Sequence, residues 1–175
     1  MARPPQGGQP AVIIVMGVAS SGKTSLGERL AERLGWPFRD ADAFHPPENV
    51  AKMSGGTPLN DEDRKPWLAA IAAWIDELRA TGKHGIVTCS ALKRRYRDVI
   101  RGDRPDVALV YLKGSRELIG ERMAKRQHHF MPPALLDSQF AALEEPGPDE
   151  RPLVMPVELS KDEIVSRVLR ELDLV

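Results

Sequence analysis

Residues 17–24 read Gly-Val-Ala-Ser-Ser-Gly-Lys-Thr, a complete G-x-x-x-x-G-K-[ST] pattern, and the six residues before it, Ala11 to Met16, are all apolar and mostly β-branched. The two features together restrict the fold more than either does alone. A short apolar run bounded by Pro10 and Gly17 is what a strand buried on both faces of a parallel sheet requires. After the turn, Leu26, Leu30, Ala31 and Leu34 fall on one face of a helix that Gly35 stops. Strand, glycine-rich turn and helix in that order predict an α/β chain that holds phosphate at a helix N-terminus. Gly17, Val18, Ala19, Ser20, Ser21 and Gly22 supply main-chain donors, and Lys23 reaches the outer phosphates. Thr24 offers its hydroxyl to Mg²⁺, with Ser25 beside it in the helix's first turn. A dinucleotide fingerprint is excluded, because the spacing is not G-x-G-x-x-G.

Further apolar runs at Ile86 to Cys89, Val107 to Leu112 and Leu153 to Val157 are each followed by helical character, so strands and helices alternate. Trp67, Ile71, Trp74, Ile75 and Leu78 form a packing stripe on a long helix expected over 61–80, with Pro66 in its first turn. Residues 43–60 and 127–133 show no regular period and are expected to be functional loops. The length of 175 residues fits one domain, expected over 11–175 behind a flexible tail of residues 1–10. No apolar segment reaches the roughly 20 residues needed to span a bilayer, and nothing at the N-terminus resembles a signal peptide. The one cysteine, Cys89, forms no internal bridge, so the cytoplasm is the expected compartment.

Lys and Arg number 25, as do Asp and Glu, and this balance argues against a general nucleic-acid binder. The balance is local cancellation. Residues 93–126 carry 11 Lys and Arg against 5 Asp and Glu, whereas 38–63 carry 2 against 6 and 144–175 carry 4 against 9. Such a segregation suits a reaction between two anions. The apolar run ending at Cys89 is followed by Ser90, with no metal-directing Asp, which disfavours a switch GTPase or motor. Asp40 and Asp42 instead stand two apart near the end of an expected second strand, on one face if extended. One can order metal-bound water while the other takes a proton from an attacking hydroxyl, and the residues alone leave open which does which. Arg122 and Arg126 lie four apart on one helix face, near a transferring phosphoryl group if that helix begins a lid.

Longer motifs carry a resemblance. Asp40-x-Asp42, His45-Pro46, Asn49, Lys52-Met53, Gly56-x-Pro58-Leu59, Asp61, Asp63-Arg64 and Pro66-Trp67-Leu68 recur in that order. Cys89-Ser90-Ala91-Leu92-Lys93, Tyr96-Arg97 and Tyr111-Leu112 follow, and then Arg126-x-x-His129-Phe130-Met131-Pro132, Leu135-Leu136, Ser138-Gln139 and Leu143-Glu144-x-Pro146. Over about residues 12–170 the chain closely resembles the gluconate kinase family of small P-loop carbohydrate kinases. The resemblance implies a three-layer fold of the nucleoside-monophosphate-kinase type, with a central parallel sheet, a substrate-binding helical insert near 43–80 and a lid near 115–143. It implies ATP- and Mg²⁺-dependent phosphorylation of the 6-hydroxyl of D-gluconate by a cytoplasmic homodimer. It further implies Asp42 as general base, Asp40 and Thr24 at the metal, and Arg122 and Arg126 as lid arginines. Met53, His129 and Gln139 then join His45, Lys52, Arg64, Lys93 and Arg97 at the acceptor. A kinase for another small hydroxy acid such as shikimate is the nearest competitor, disfavoured because Cys89-Ser90-Ala91 stands where a Gly-Gly pair is expected. A non-catalytic nucleotide-dependent binding module is the more distant one.

Overall fold

Strand β1 (Val12–Met16) runs through the middle of a five-stranded sheet, between β3 (Gly85–Thr88) and β4 (Val107–Lys113). The outer strands are β2 (Phe38–Asp40), beside β3, and β5 (Leu153–Pro156), beside β4, and every pairing is parallel. The computed structural model describes residues 9–57, 59–125 and 133–174, with backbone alone for 133–135. Each residue of β1 is fully buried, which explains why the strand carries no polar side chain. Ile13 and Val15 enter one core, and Val12, Ile14 and Met16 the other.

The first core is covered by α1 (Lys23–Leu34), α5 (Arg116–Lys125), α6 (Pro133–Ala142) and α7 (Lys161–Glu171). The second is covered by α3 (Asp61–Ala80) and α4 (Arg94–Ile100). The chain therefore leaves β1 toward one layer and β3 toward the other. Their loops part over the carboxyl edge of the sheet, where a crevice forms at the switch in connection direction. Register places Asp40 beside Thr88, so the acidic pair enters this crevice from the strand next to β3. Among the described residues no helix is long and apolar enough to cross a membrane.

Two local expectations change. Residues 43–60, expected to be irregular, begin within a 3-10 turn over Ala41–Phe44 and contain α2 (Pro47–Ser54). The helix starts on Pro47, carries Glu48 in its first turn and Lys52 in its last, and is followed by Gly55. Its buried residue is Asn49, while Val50 and Met53 are exposed, so no apolar stripe announces it. In α3 a reciprocal Asn60–Asp63 capping box sets the start at Asp61. Pro66 consequently falls in the second turn rather than the first, at the cost of one helical hydrogen bond.

Candidate active site

The phosphate loop links β1 to α1. Gly22 precedes the helix at φ 100°, a left-handed conformation that glycine tolerates. A Cβ on Gly17 would lie 2.6 Å from Ser21 Oγ and 3.1 Å from the Leu112 carbonyl oxygen, whereas at Gly22 the positive φ itself disfavours a side chain. Lys23 Nζ donates to the carbonyls of Gly17 and Val18, each at 3.0 Å, and so lies back across the loop. Ala19 N–H donates to Gln139 Oε1 at 2.6 Å. A side-chain oxygen thus already uses one amide of the cradle. Ser21 Oγ is buried with no hydrogen-bond partner. A closely approaching main chain and an orphaned hydroxyl at a helix N-terminus fit a bound phosphate. Thr24 is exposed at the start of α1, available to a cation.

Beside the loop lies a cavity of about 680 Å³, whose lining includes Asp42, His45, Met53, Arg64, Lys93 and Gln139. Gln139 therefore touches both the phosphate loop and the acceptor cavity. Asp42 sits in the 3-10 turn after β2, and Asp40 caps that turn, its Oδ1 accepting from Asp42 N–H at 2.9 Å. The two carboxylates are therefore not on one face of a continuous strand. β2 ends at Asp40, and the turn brings Asp42 forward. Partial burial in the crevice pushes the Asp42 carboxyl above its usual range, repulsion from Asp40 adds to this, and His45 and Lys23 oppose it. Its side chain nevertheless keeps 87% of its accessible surface, so solvent screens this push.

On the far wall, Arg64 donates to Tyr96 Oη at 3.2 Å, and Tyr96 donates to Asp61 at 2.6 Å. The Tyr96 hydroxyl holds the Asp61 carboxyl below its usual range. Lys93 lies directly before α4 and lines the same space. A smaller cavity of about 280 Å³ opens at the opposite, amino-terminal edge of the sheet and includes none of the expected site residues.

Several expected residues are placed elsewhere. Arg97 was expected among the acceptor cations, but its side chain is 2% exposed and clamped to Glu150 at 2.6 and 3.1 Å. Its third donor goes to the Ala91 carbonyl at 2.8 Å. It ties the loop after β3 to the segment before β5 and does not line the acceptor cavity. Lys52 points from α2 onto Asp63, at 2.8 and 3.0 Å, again outside the cavity lining. That pair holds α2 against the start of α3. Arg122 is half-buried in the last turn of α5. Arg126 and His129 lie outside the described residues. Cys89 is buried, which pushes its thiol up to about 12 and makes it unreactive.

Three contributors escaped the residue-level reading. Trp67, taken as core packing, does pack there, but it also lines the cavity, stacks on His45 and donates to the Ala41 carbonyl at 2.7 Å. Tyr96 positions Arg64, and Asn49 contacts His45. All three stood inside the motifs carrying the resemblance, which was the available signal.

The shikimate kinase family model matches residues 19–171. A gluconokinase of Gluconobacter oxydans is 44% identical over 93% of this chain and 91% of its own. The thermosensitive gluconokinase of Escherichia coli is 47% identical over 81% of this chain and 75% of its own. The crystal structure of a gluconokinase from Sinorhizobium meliloti superposes with a TM-score of 0.83 at 45% identity, covering 98% of this chain and 94% of that one.

Proposed function

This chain belongs to the gluconokinase family of shikimate-kinase-like P-loop enzymes, and we propose that it transfers the γ-phosphoryl group of ATP to the 6-hydroxyl of D-gluconate. The observation that carries the reading is the placement of the Asp42 carboxylate in a cavity that Arg64 and Lys93 also line and that Gln139 joins to the phosphate loop. The loop amides, with Lys23, hold the β- and γ-phosphates. Lys93 and Arg64 draw the gluconate carboxylate to the far wall, and the chain of the sugar acid then extends toward Asp42. His45 donates to a hydroxyl near the attacking end. Asp42 accepts the proton of the 6-hydroxyl as its oxygen attacks, and its raised pKa makes it a better acceptor at neutral pH.

Mg²⁺ bound with the nucleotide supplies neutralisation of the phosphate charge, and Thr24 and Asp40 are the residues that would hold it. No group of three or more His, Cys, Asp or Glu converges among the described residues. A Mg²⁺ ion held largely by phosphates and water fits that donor set. Arg122 of α5, together with Arg126, adds positive charge as the lid closes. We take residues 11–175 as one catalytic domain, 43–80 as the acceptor-binding insert and 115–143 as the lid. The family resemblance also supports a cytoplasmic homodimer.

The test is a coupled ADP-release assay with purified protein, ATP and Mg²⁺. Turnover is expected with D-gluconate and not with shikimate. Turnover with shikimate alone, or with neither acid, would sink the assignment.

A further inference from the structure

His45 forms a wall of the acceptor cavity, its ring stacked on Trp67 with centroids 4.4 Å apart and planes 12° from parallel. Its side chain is only 5% exposed, and Nδ1 has a hydrogen-bonding neighbour within the fold. Nδ1 lies 3.2 Å from Asn49 Nδ2, and that same Nδ2 lies 2.8 Å from the Asp63 carbonyl oxygen. A carbonyl oxygen only accepts, so the Asn49 atom facing it must be the amide nitrogen, which settles the orientation of the amide. An amide nitrogen has no lone pair to offer, so Nδ1 must be the acceptor in the second contact. A neutral imidazole that accepts at Nδ1 carries its hydrogen on Nε2. Nε2 is the nitrogen directed toward Asp42, 4.0 Å from its Oδ1.

We infer that Asn49 is a positioning residue that locks His45 as the neutral Nε2–H tautomer, and so aims one hydrogen-bond donor at the acceptor hydroxyl beside Asp42. The inference rests on the reading of this cavity as the gluconate site. Asn49 is 3% exposed and has both amide hydrogens committed, so it does not turn to present its oxygen. Protonating Nδ1 would set two N–H donors against each other. Burial also lowers the pKa of His45, as does the nearby Arg64 of α3, while Asp42 in the 3-10 turn opposes them. From α2 the ring meets the uncharged Asn49, and from the start of α3 the main chain of Asp63 meets Asn49 and not the ring.

A neutral donor serves this reaction better than a cation. A charged His45 would lower the basicity of Asp42, the group that must take the proton. A neutral ring leaves that basicity intact while still orienting the hydroxyl.

The test begins on the intact wild-type enzyme without ligand, by long-range ¹H–¹⁵N NMR of ¹⁵N-histidine-labelled protein, with His45 assigned by loss of its signals in His45→Asn. The expected result is an unprotonated Nδ1 and a titration below the ordinary histidine value of 6.5. A wild-type His45 protonated at Nδ1, or titrating at or above that value, overturns the inference whatever the substrate proves to be. Asn49→Asp presents an acceptor to Nδ1, so it should move the hydrogen to Nδ1 and raise the titration. Its kcat/KM for gluconate should fall roughly 10- to 100-fold, as when a partner that sets a histidine's tautomer is changed, with KM for ATP little altered. Should that variant fold poorly, Asn49→Leu is the second, expected to give a mixture of tautomers. A folded variant of either kind that keeps the wild-type tautomer and titration also overturns the inference. Inactivity on gluconate with the tautomer in place counts against the assigned function alone.

Discussion

Replacing Glu150 with Gln tests whether Arg97 belongs to the framework or to the acceptor site. The Arg97 and Glu150 side chains are 2% and 8% exposed and share two contacts of 2.6 and 3.1 Å. Gln keeps the shape but removes the charge, leaving a guanidinium desolvated without a counter-ion. Breaking a buried pair from one side costs about 3–5 kcal/mol. At roughly 2–4 °C per kcal/mol for a chain of this length, Tm should fall by on the order of 6–20 °C. The loss depends on pH in a definite direction. Burial alone would raise the Glu150 pKa, but the hydrogen bonds from Arg97 and Gly147 N–H outweigh it and hold the carboxyl below its usual 4.5. A depressed folded-state pKa contributes stability that is fully present above the unfolded value and disappears as pH falls through the folded one. Scanning calorimetry from pH 8 downward should therefore show the two melting curves converging only in acid. An Arg97→Met, Glu150→Leu double variant should recover most of the loss, because no buried charge remains. Initial rates at 20 °C, where the variants are folded, should give gluconate KM values within about threefold of wild type, well short of the effect of losing a bound charge. A normal Tm in Arg97→Met combined with a tenfold rise in gluconate KM would refute the argument and return Arg97 to the acceptor.

The remaining predictions concern the base and the packing beneath the phosphate loop. Asp42→Asn should lower kcat by about 10²-fold or more with an unchanged melting curve, and a near-normal rate would remove Asp42 from the role of base. Asp40→Asn retains the cap of the 3-10 turn but deletes the charge that adds to the burial-driven rise of the Asp42 pKa. The acid limb of kcat/KM against pH should then move to lower pH whatever the residual rate, and an unmoved limb would show that Asp40 and Asp42 are uncoupled. In Gly27→Ala the new methyl would sit 2.6 Å from Phe38 Cε1 and 2.8 Å from Thr88 Cγ2. This should cost about 1–3 kcal/mol, readable in denaturant melts, and an unchanged midpoint would mean that α1 lifts freely from β2 and β3.

The strands and long helices were legible because their signals are local and repetitive. The apolar run of β1 and the i, i+4, i+7 stripe of α3 arise from burial against flat layers, which any window of the sequence samples. Helix α2 was invisible for the converse reason. It is eight residues long, its buried residue is polar, and its ends are set by Pro47 and Gly55 rather than by periodicity. The acidic pair was found by composition, but its geometry was not, since a strand ending at Asp40 and a turn starting at Ala41 differ by one residue in sequence and by direction in space. Arg97 shows the deepest limit. Lys93 and Arg97 both border the acceptor segment, yet one lines the cavity and the other is buried on Glu150, more than 50 residues later in the chain. Only the fold determines which carboxylate a cation meets.

The placement of β1 has a consequence for when the phosphate loop comes into being. Its neighbours, beginning at Gly85 and Val107, are both supplied from more than 70 residues downstream of Val12. Pairings so distant in the chain form late and slowly, because the entropy of closing the intervening segments is lost before any contact rewards it. The turn that carries Lys23 is anchored on this strand, so its curl of amides exists only after both flanking strands have docked. An unfolded or half-folded chain then has no phosphate site to offer. Nucleotide binds the native state alone, and at a hundred times its Kd it adds about 2.7 kcal/mol to the free energy of unfolding. A bound triphosphate would thus stabilise the folded chain as well as serve as its phosphoryl donor.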